Sequence, residues 1–284
     1  METLRSGQVS ALVDPRNGGR LVSLCLAGTE IIGAAPAGEG LPASWFQGCF
    51  PMAPYAGRLR HGRFEFEGEG YAVPLNAGED SAHGLVDDVP WSVVSRSGSA
   101  LVLSVKLGAR WPFGGRVDQA FHLTKSGLTV TLTASNETRP MPAALGFHPW
   151  FRRDANTGGL ASYSVRPRLR FAPDENGSPR VPTPDLGVRP WDDVFTGLEE
   201  PPTIRWPNGP TLRIRSSSDI WIVYERLPEA FCIEPITAPP DSLGTDRAAI
   251  VRPGEPLVLK MGLSWDLPGS RPEPLDTAKS VSND

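Results

Sequence analysis

The features that this sequence lacks narrow its possible functions. No stretch approaches the roughly 20 consecutive apolar residues that a helix needs to cross a bilayer. Neither basic nor acidic residues form a block along the chain. The chain has 28 Lys and Arg residues and 32 Asp and Glu residues, for a formal net charge of −4. This balance gives no electrostatic reason to expect nucleic acid or an anionic membrane as a partner. The amino-terminal segment also lacks the basic start and apolar core of a secretory signal, so we expect a cytoplasmic protein.

Cysteine and histidine are scarce. The three cysteines, Cys25, Cys49 and Cys232, are widely spaced and include no C-x-x-C pair, which favours reduced, mostly buried thiols. The four histidines form no H-x-H, H-x-x-x-H or H-E-x-x-H element, and this spacing argues against a metal site. There is also no G-x-S-x-G elbow, phosphate-binding loop or dinucleotide fingerprint. We therefore expect no metal, no nucleotide and no other cofactor.

Short strand signals recur along most of the chain. Apolar alternation or β-branched runs are separated by turns rich in Gly and Asn, which supply the positive φ angles that tight turns need. The clearest hairpin joins Phe121–Thr124 to Leu128–Ala134 through Ser126–Gly127. We find no amphipathic helix of ten or more residues. The other predicted strands are Ser10–Val13, Leu21–Leu26, Gly62–Glu67, Trp91–Arg96, Leu101–Leu107, Leu212–Arg215, Ile220–Tyr224, Ala230–Ile233 and Leu257–Trp265.

This pattern predicts an all-β fold, a sandwich or barrel, in a single domain over residues 1–267. Thirty glycines and thirty prolines are scattered between the apolar runs, as expected for many turns and not for a disordered chain. The Pro-rich stretch Phe171–Pro190 is interpreted as a long loop of the kind that often lines a binding site. Residues 268–284 are polar and Pro-bearing, and we expect a mobile tail.

Two histidines are candidates for chemistry. His83 follows a polar loop and precedes Gly84, a position from which a side chain can face a cleft. His148 ends an apolar run, is flanked by aromatic residues and precedes Pro149, which keeps its backbone extended. Aromatic rings beside a titratable group suit a sugar, whose C–H face packs on rings while its hydroxyls form hydrogen bonds. From the local sequence, a core histidine satisfied by backbone groups is an equally good interpretation of His148.

The acidic candidate is Glu234, at the end of the apolar run Ala230–Ile233. A carboxylate there must face a cleft or be paired, because an unpaired buried charge is costly. A strand holds such a group rigidly, as a general base requires, although glutamates at strand ends are also often salt-bridged. Asp192 and Asp193 are ambiguous between loop capping and ligand contact.

Six short segments resemble, in this order, segments of the aldose 1-epimerase (galactose mutarotase) family. The resemblance depends on their order from residue 17 to residue 237, since each motif alone is weak. The segments are Asn17–Leu24, similar to a Gly-Gly hairpin; Pro54–Phe64, similar to N-R-I-x-x-G-x-F; His83–Gly84 with Trp91; Gly146–Phe151, similar to H-P-Y-F; Trp191–Phe195, similar to D-x-x-F; and Cys232–Thr237, similar to E-P-x-T.

The resemblance implies a large antiparallel β-sandwich, the supersandwich of the galactose-mutarotase type, with a sugar bound in an open cleft on one sheet. It implies that Glu234 is the catalytic base and His148 the catalytic acid. His83 is then expected to hydrogen-bond the sugar near its ring oxygen, and Arg58 and Asp192 to bind sugar hydroxyls. The implied reaction interconverts the α and β anomers of a free aldose, and one carboxylate with one imidazole suffices for its proton transfers.

Three departures from the family pattern concern the choice of substrate. Gly57 stands where the family has Asn, Asp193 where it has His, and Trp150 where it has Tyr. The acid–base residues are unaffected, so the reaction type is still expected.

Two alternatives therefore stay open. A hexose-6-phosphate 1-epimerase would need extra basic residues for the phosphate, and the candidates are Arg60, Arg63, Arg152 and Arg153. A noncatalytic carbohydrate-binding or sugar-sensing protein on the same fold is the second alternative, because a fold does not determine a function. In each case the expected partner is a small sugar, and the protein is a monomer or a homodimer.

Overall fold

The computed structural model describes residues 1–175 and 179–269. Within these residues the chain forms twenty-five β-strands and two short 3-10 helices, Ala43–Phe46 and Arg60–Gly62. The prediction that long helices are absent is confirmed for this part of the chain. None of its helices is long and apolar enough to cross a membrane.

The strands are numbered in chain order. They are β1 Glu2–Ser6, β2 Val9–Asp14, β3 Arg20–Leu26, β4 Thr29–Ile32, β5 Cys49–Met52, β6 Arg58–Leu59, β7 Arg63–Phe66, β8 Glu69–Ala72, β9 Ser81–Ala82, β10 Ser92–Arg96, β11 Ala100–Lys106, β12 Arg116–Leu123, β13 Gly127–Ser135, β14 Met141–Ala143, β15 Gly146–Arg152, β16 Ser162–Ser164, β17 Leu169–Pro173, β18 Pro179–Thr183, β19 Asp192–Thr196, β20 Thr203–Arg205, β21 Thr211–Ser216, β22 Ile220–Tyr224, β23 Ala230–Ile236, β24 Ala249–Val251 and β25 Leu257–Asp266.

Two large sheets dominate the fold. The eleven-stranded sheet runs in the order β1-β2-β3-β4-β15-β23-β22-β19-β17-β18, and β5 pairs with both β15 and β3. The eight-stranded sheet runs in the order β10-β11-β12-β13-β25-β21-β20-β16. Neighbouring strands in both are antiparallel. The predicted all-β antiparallel sandwich is thereby confirmed.

The eight-stranded sheet follows the alternation seen in the sequence. In β13, Leu128 and Leu132 are buried, whereas Thr129 is exposed. Successive side chains of a strand point to opposite faces, so one face packs in the core and the other meets solvent. The predicted hairpin around Ser126–Gly127 is confirmed, with Leu123 paired to Leu128.

Strands β15 and β23, in the middle of the eleven-stranded sheet, are buried on both faces. On one face, Phe151 and Phe231 belong to the main core. On the other, Trp150 and Cys232 belong to a second apolar cluster, which we call the outer cluster. The outer cluster covers the face of the sheet that carries the candidate site.

The interpretation of Phe171–Pro190 as a loop without secondary structure is wrong. Strands β17 and β18 form an antiparallel hairpin in this stretch, with Phe171 paired to Pro182. Strand β18 ends the sheet, where a proline is tolerated because one side of the strand has no ladder partner. Residues 176–178 and the part of the predicted mobile tail from residue 270 onward lie outside the described residues.

Candidate active site

A cavity of about 540 Å³ opens on the outer face of the eleven-stranded sheet. The five residues predicted to form the site all line it: Arg58, His83, His148, Asp192 and Glu234. They come from β6, the segment after β9, and strands β15, β19 and β23. The volume lies within the range of small-molecule sites, roughly 300–1,000 Å³. The fold thus gathers residues that are up to 176 positions apart in the chain.

His148 and Glu234 form a buried pair, which we call the acid–base pair. The register of β15 and β23 places the two residues directly across from each other. The Nε2 atom of His148 lies 3.4 Å from Oε1 of Glu234. The other carboxylate oxygen, Oε2, is buried and has no hydrogen-bond partner among the described residues. This oxygen is therefore free to accept a hydrogen bond from a ligand hydroxyl.

Burial controls the protonation of the acid–base pair. Glu234 is 2% exposed and His148 is 8% exposed. Burial, with a smaller contribution from Asp192, raises the pKa of Glu234 well above its ordinary value. Burial, with a smaller contribution from His83, lowers the pKa of His148 well below its ordinary value. Burial thus favours the neutral form of each group, a protonated carboxyl and an uncharged imidazole. The pair then shares one titratable proton, which can move between the carboxyl of Glu234 and the imidazole of His148.

Neighbouring side chains hold the imidazole of His148 in place. Phe50, opposite it on β5, stacks on the ring with centroids 4.6 Å apart and planes 20° apart. The ring of His83 meets it edge-on at 5.1 Å. The Sγ atom of Cys232, on the same face of β23 as the carboxylate, lies 3.6 Å from Nδ1. The two ring nitrogens of His148 therefore face different neighbours.

His83 is presented by a strained turn. Its φ is 61° and that of Gly84 is 86°, and a β-carbon on Gly84 would collide with the carbonyl oxygen of Ala53. The Nδ1 atom of His83 lies 3.1 Å from the sulfur of Met52, which can only accept, so Nδ1 carries the hydrogen and Nε2 is an acceptor. Burial, with a smaller effect from Arg58, lowers the pKa of His83 to about 3. His83 is thus neutral at physiological pH and offers a hydrogen bond, not a positive charge.

Arg58 and Asp192 lie at the rim of the cavity. Arg58 is 3.0 Å from Asp80, and its side chain is 56% exposed. Asp192 is 3.8 Å from Arg226, and its side chain is 44% exposed. Solvent reaches both ion pairs, so each contributes little to stability and can exchange partners with a polar ligand at small cost. Asp80 was not predicted from the sequence, although it lies in the polar loop before His83.

Two of the three departures from the family pattern have a steric or packing cause. A β-carbon on Gly57, whose φ is 65°, would lie 2.5 Å from Cγ of Pro240, so asparagine does not fit there. Trp150 donates its indole N–H to the carbonyl oxygen of Trp45 at 2.6 Å. The two tryptophans together line one wall of the cavity.

Trp45 is a cavity residue that the sequence analysis missed. Its indole Nε1 donates to Oδ2 of Asp87 at 2.7 Å, and its ring meets that of His83 edge-on at 4.7 Å. Asp87 is 2% exposed, and burial, with a smaller contribution from Asp88, raises its pKa to about 6. Trp45 and Asp87 are 42 positions apart, and no local pattern connects them.

Three potential metal ligands lie close together although their spacing in the sequence does not show it. His148, Cys232 and Glu234 each offer a ligand atom, and these atoms lie within 4.8 Å of one another. They belong to two paired strands, so no contiguous motif displays them. The signal that was available is the two-residue separation of Cys232 and Glu234 on a strand, which puts both on one face.

The four arginines considered for a sugar phosphate are not gathered in the cavity. Of these four, only Arg60 lines it, and its Nε atom is 3.7 Å from the carboxylate of Asp241. Arg152 pairs with Glu30, and Arg153 donates to backbone carbonyl groups.

Comparison with known proteins identifies the family. A family model described as Aldose 1-epimerase matches residues 3–166, which is more than half of the chain. The chain belongs to the aldose 1-epimerase family. The matched part of this family member contains Arg58, His83 and His148, whereas Asp192 and Glu234 follow it in the chain.

Relatives of this aldose 1-epimerase family member agree with the fold. The uncharacterized protein YphB of Escherichia coli strain K12 is 39% identical over 107 residues, an alignment that spans only 36% of each chain. A galactose mutarotase-like protein from Clostridium acetobutylicum has a TM-score of 0.79 at 16% identity, over 93% of this chain and 94% of that one. A galactose 1-epimerase from Lactobacillus acidophilus NCFM has a TM-score of 0.71 at 15% identity, over 93% of each. These likenesses confirm the supersandwich of the galactose-mutarotase type.

Proposed function

We propose that this protein is an aldose 1-epimerase that interconverts the α and β anomers of a free, uncharged aldose. The observation that carries the proposal is the acid–base pair. Its two titratable groups are buried 3.4 Å apart, and both line the cavity. Burying them is costly, and a protein that only binds a sugar needs no matched proton donor and acceptor.

The reaction requires two proton transfers. With the proton of the pair on His148, the Glu234 carboxylate takes the proton of the anomeric hydroxyl, and His148 gives its proton to the ring oxygen. The bond between the anomeric carbon and the ring oxygen then breaks to give the open-chain aldehyde. Rotation about the bond to the next carbon exposes the other carbonyl face, and the reverse transfers close the ring. General acid–base catalysis of this kind contributes roughly 10²–10⁴-fold per group.

The remaining cavity residues suit binding and orientation of the sugar. The rings of Trp45 and Trp150 offer an apolar wall for the C–H face of a pyranose. His83 is neutral and offers a hydrogen bond near the acid–base pair. Arg58 and Asp192, at the rim, are suited to bind the outer hydroxyls.

The charge of the cavity favours a free aldose over a hexose 6-phosphate. Its lining contains two arginines, each already beside a carboxylate. Carboxylates outnumber them, which disfavours a dianionic phosphate. The acidic lining residues are Asp80, Asp192, Asp193, Glu234 and Asp241.

The proposal is tested by polarimetry of freshly dissolved α-glucose and α-galactose. We expect the wild-type protein to accelerate equilibration and Glu234→Gln to lose at least about a hundredfold in rate. The matched control is Glu229→Gln, the same change at an exposed position just before β23, and it should keep the wild-type rate. The proposal is wrong if no free aldose equilibrates faster with the wild type. Acceleration of a hexose 6-phosphate alone would support the phosphate alternative, and tight sugar binding without acceleration would support the binding protein.

A further inference from the structure

The cluster of His148, Cys232 and Glu234 points to a metal site that catalysis does not need. We infer that these three residues bind a thiophilic divalent cation, with Zn²⁺ the best fit, and that the bound cation inhibits the enzyme. The binding site is inferred from the geometry alone, whereas the inhibition rests on the proposed function.

The geometry of the cluster is close to that of a zinc site. Cys232 and Glu234 contact different ring nitrogens of His148, with Sγ 3.6 Å from Nδ1 and Oε1 3.4 Å from Nε2, so only one of these contacts is between two ligand atoms of a single ion. One ligand atom from each residue lies within 4.8 Å of the other two. In a tetrahedral site with bonds of 2.0–2.3 Å, ligand atoms are about 3.3–3.8 Å apart. A contraction of about 1 Å therefore completes three corners of the tetrahedron.

The free carboxylate oxygen is an independent indication that this cluster accepts a ligand. Oε2 of Glu234 is buried and has no hydrogen-bond partner within the described ranges 1–175 and 179–269. A buried polar atom without a partner is costly unless something occupies the site. Glu234 and His148 also line the cavity, so a cation has an entry path and a water molecule or hydroxyl can supply the fourth ligand.

The charges of the cluster match those of a divalent cation. A thiolate from Cys232 and a carboxylate from Glu234 together neutralise Zn²⁺, and neutral His148 adds a third bond. Binding releases two protons, one from the thiol and one from the acid–base pair, and no electron is transferred. Asp80, Asp192, Asp193 and Asp241 add negative charge to the cavity lining, which raises the local concentration of cations.

Bound Zn²⁺ would occupy the groups that carry protons in the proposed reaction. The carboxylate of Glu234 could no longer accept the anomeric proton, and His148 would have lost its mobile proton. Cys232 has no part in those proton transfers. Its substitution therefore removes a cation ligand without removing a group that transfers a proton.

Binding is tested directly with Co²⁺, which replaces Zn²⁺ and gives a near-ultraviolet absorption band when a thiolate is a ligand. Metal-stripped wild-type protein should bind one equivalent with this band. Cys25→Ser, at a half-buried cysteine on β3, is the matched control and should behave as wild type. The band should be absent from Cys232→Ser and from Cys232→Ala, each checked for folding by thermal unfolding. A wild-type protein that binds Co²⁺ without the band, or does not bind it, overturns the inference even if neither variant folds.

Inhibition is tested by polarimetry in the presence of Zn²⁺. We expect Zn²⁺ to slow the wild type and a chelator to restore its rate. With each rate taken relative to the same protein without metal, Cys232→Ser should require at least about tenfold more Zn²⁺ for half-inhibition, since even outer-shell partners of a metal contribute 10–100-fold. Equal inhibition of both proteins would refute the role of Cys232. A thiolate band without any mutarotation would refute the proposed function alone, whereas mutarotation without the band would refute the metal site alone.

Discussion

The strands of the two large sheets bury their side chains differently. Strand β13 of the eight-stranded sheet buries Leu132 on one face and exposes Thr129 on the other. Strand β23 of the eleven-stranded sheet buries both faces and carries Glu234 on the face that lines the cavity. A solvated face would screen a carboxylate and leave its pKa near normal, whereas a covered face shifts it. The central strands of the eleven-stranded sheet, which are covered on both faces, are therefore suited to acid–base chemistry.

The largest expected effect is on the free energy of unfolding and comes from the core-facing side chains of the eight-stranded sheet. Leu132→Ala removes a fully buried side chain from the inner face of the eight-stranded sheet and should lower the free energy of unfolding by about 2–5 kcal/mol. Thr129→Ala, on the solvated face of the same strand, should change it by about 0.5 kcal/mol or less. Urea denaturation measures both, and polarimetry should find an unchanged rate per folded molecule. A reduced rate in folded Leu132→Ala would mean that packing in the eight-stranded sheet also affects the candidate site on the eleven-stranded sheet.

An intermediate effect is expected at Asp87, the buried partner of Trp45. Its raised pKa means that the folded protein binds more protons than the unfolded chain between pH 3.8 and about 6, so stability falls as pH rises through this interval. Asp87→Asn keeps an acceptor for the indole and removes the charge. We expect the variant to match wild type near pH 4 and to exceed it by up to about 3 kcal/mol at pH 7.

The control for this prediction is on the eight-stranded sheet. Asp118→Asn, the same change on the outward face of β12, should not raise the free energy of unfolding at pH 7. Thermal or urea unfolding at several pH values measures both variants. If the free energy of unfolding of Asp87→Asn depends on pH as steeply as that of wild type, the carboxyl group of Asp87 is not the source of the pH dependence.

The smallest expected effect is a displacement in the pH profile of activity. The pKa of His148 is lowered by burial, so the acid–base pair takes up a second proton only well below pH 6.5. The value of kcat/KM should therefore stay level as the pH falls through 6.5, where an ordinary histidine would titrate. Polarimetric rates between pH 5 and pH 8 measure this. An inflection at pH 6.5 would show that the imidazole is solvated during catalysis.

The eight-stranded sheet was the more predictable from sequence, for a physical reason. A strand with one solvent-exposed face must alternate apolar and polar residues, and the sequence of β13 shows this pattern directly. The hairpin of β17 and β18 was missed because its prolines suggested a loop, yet the two on β18, at 179 and 182, lie on an edge strand, which tolerates them. Local composition does not reveal whether a strand lies at an edge.

The candidate site was only partly predictable. His148 and Glu234 were identifiable because a polar group inside an apolar run requires an explanation. Cys232 was not, because a cysteine there fits a buried thiol equally well. Trp45 lines the cavity because the fold places it against Asp87 and His83. Such contacts depend on the register between distant strands, which no single segment encodes.

The close approach of Gly57 and Pro240 couples substitutions at these two positions. Any residue with a β-carbon at position 57 would clash with the proline ring, so a substitution there is harmful while Pro240 remains. Replacing Pro240 with a smaller residue would relieve this contact, whereas the left-handed backbone at position 57 would still disfavour most side chains. We therefore expect epistasis between the two positions, with a side chain at position 57 tolerated better once position 240 has changed.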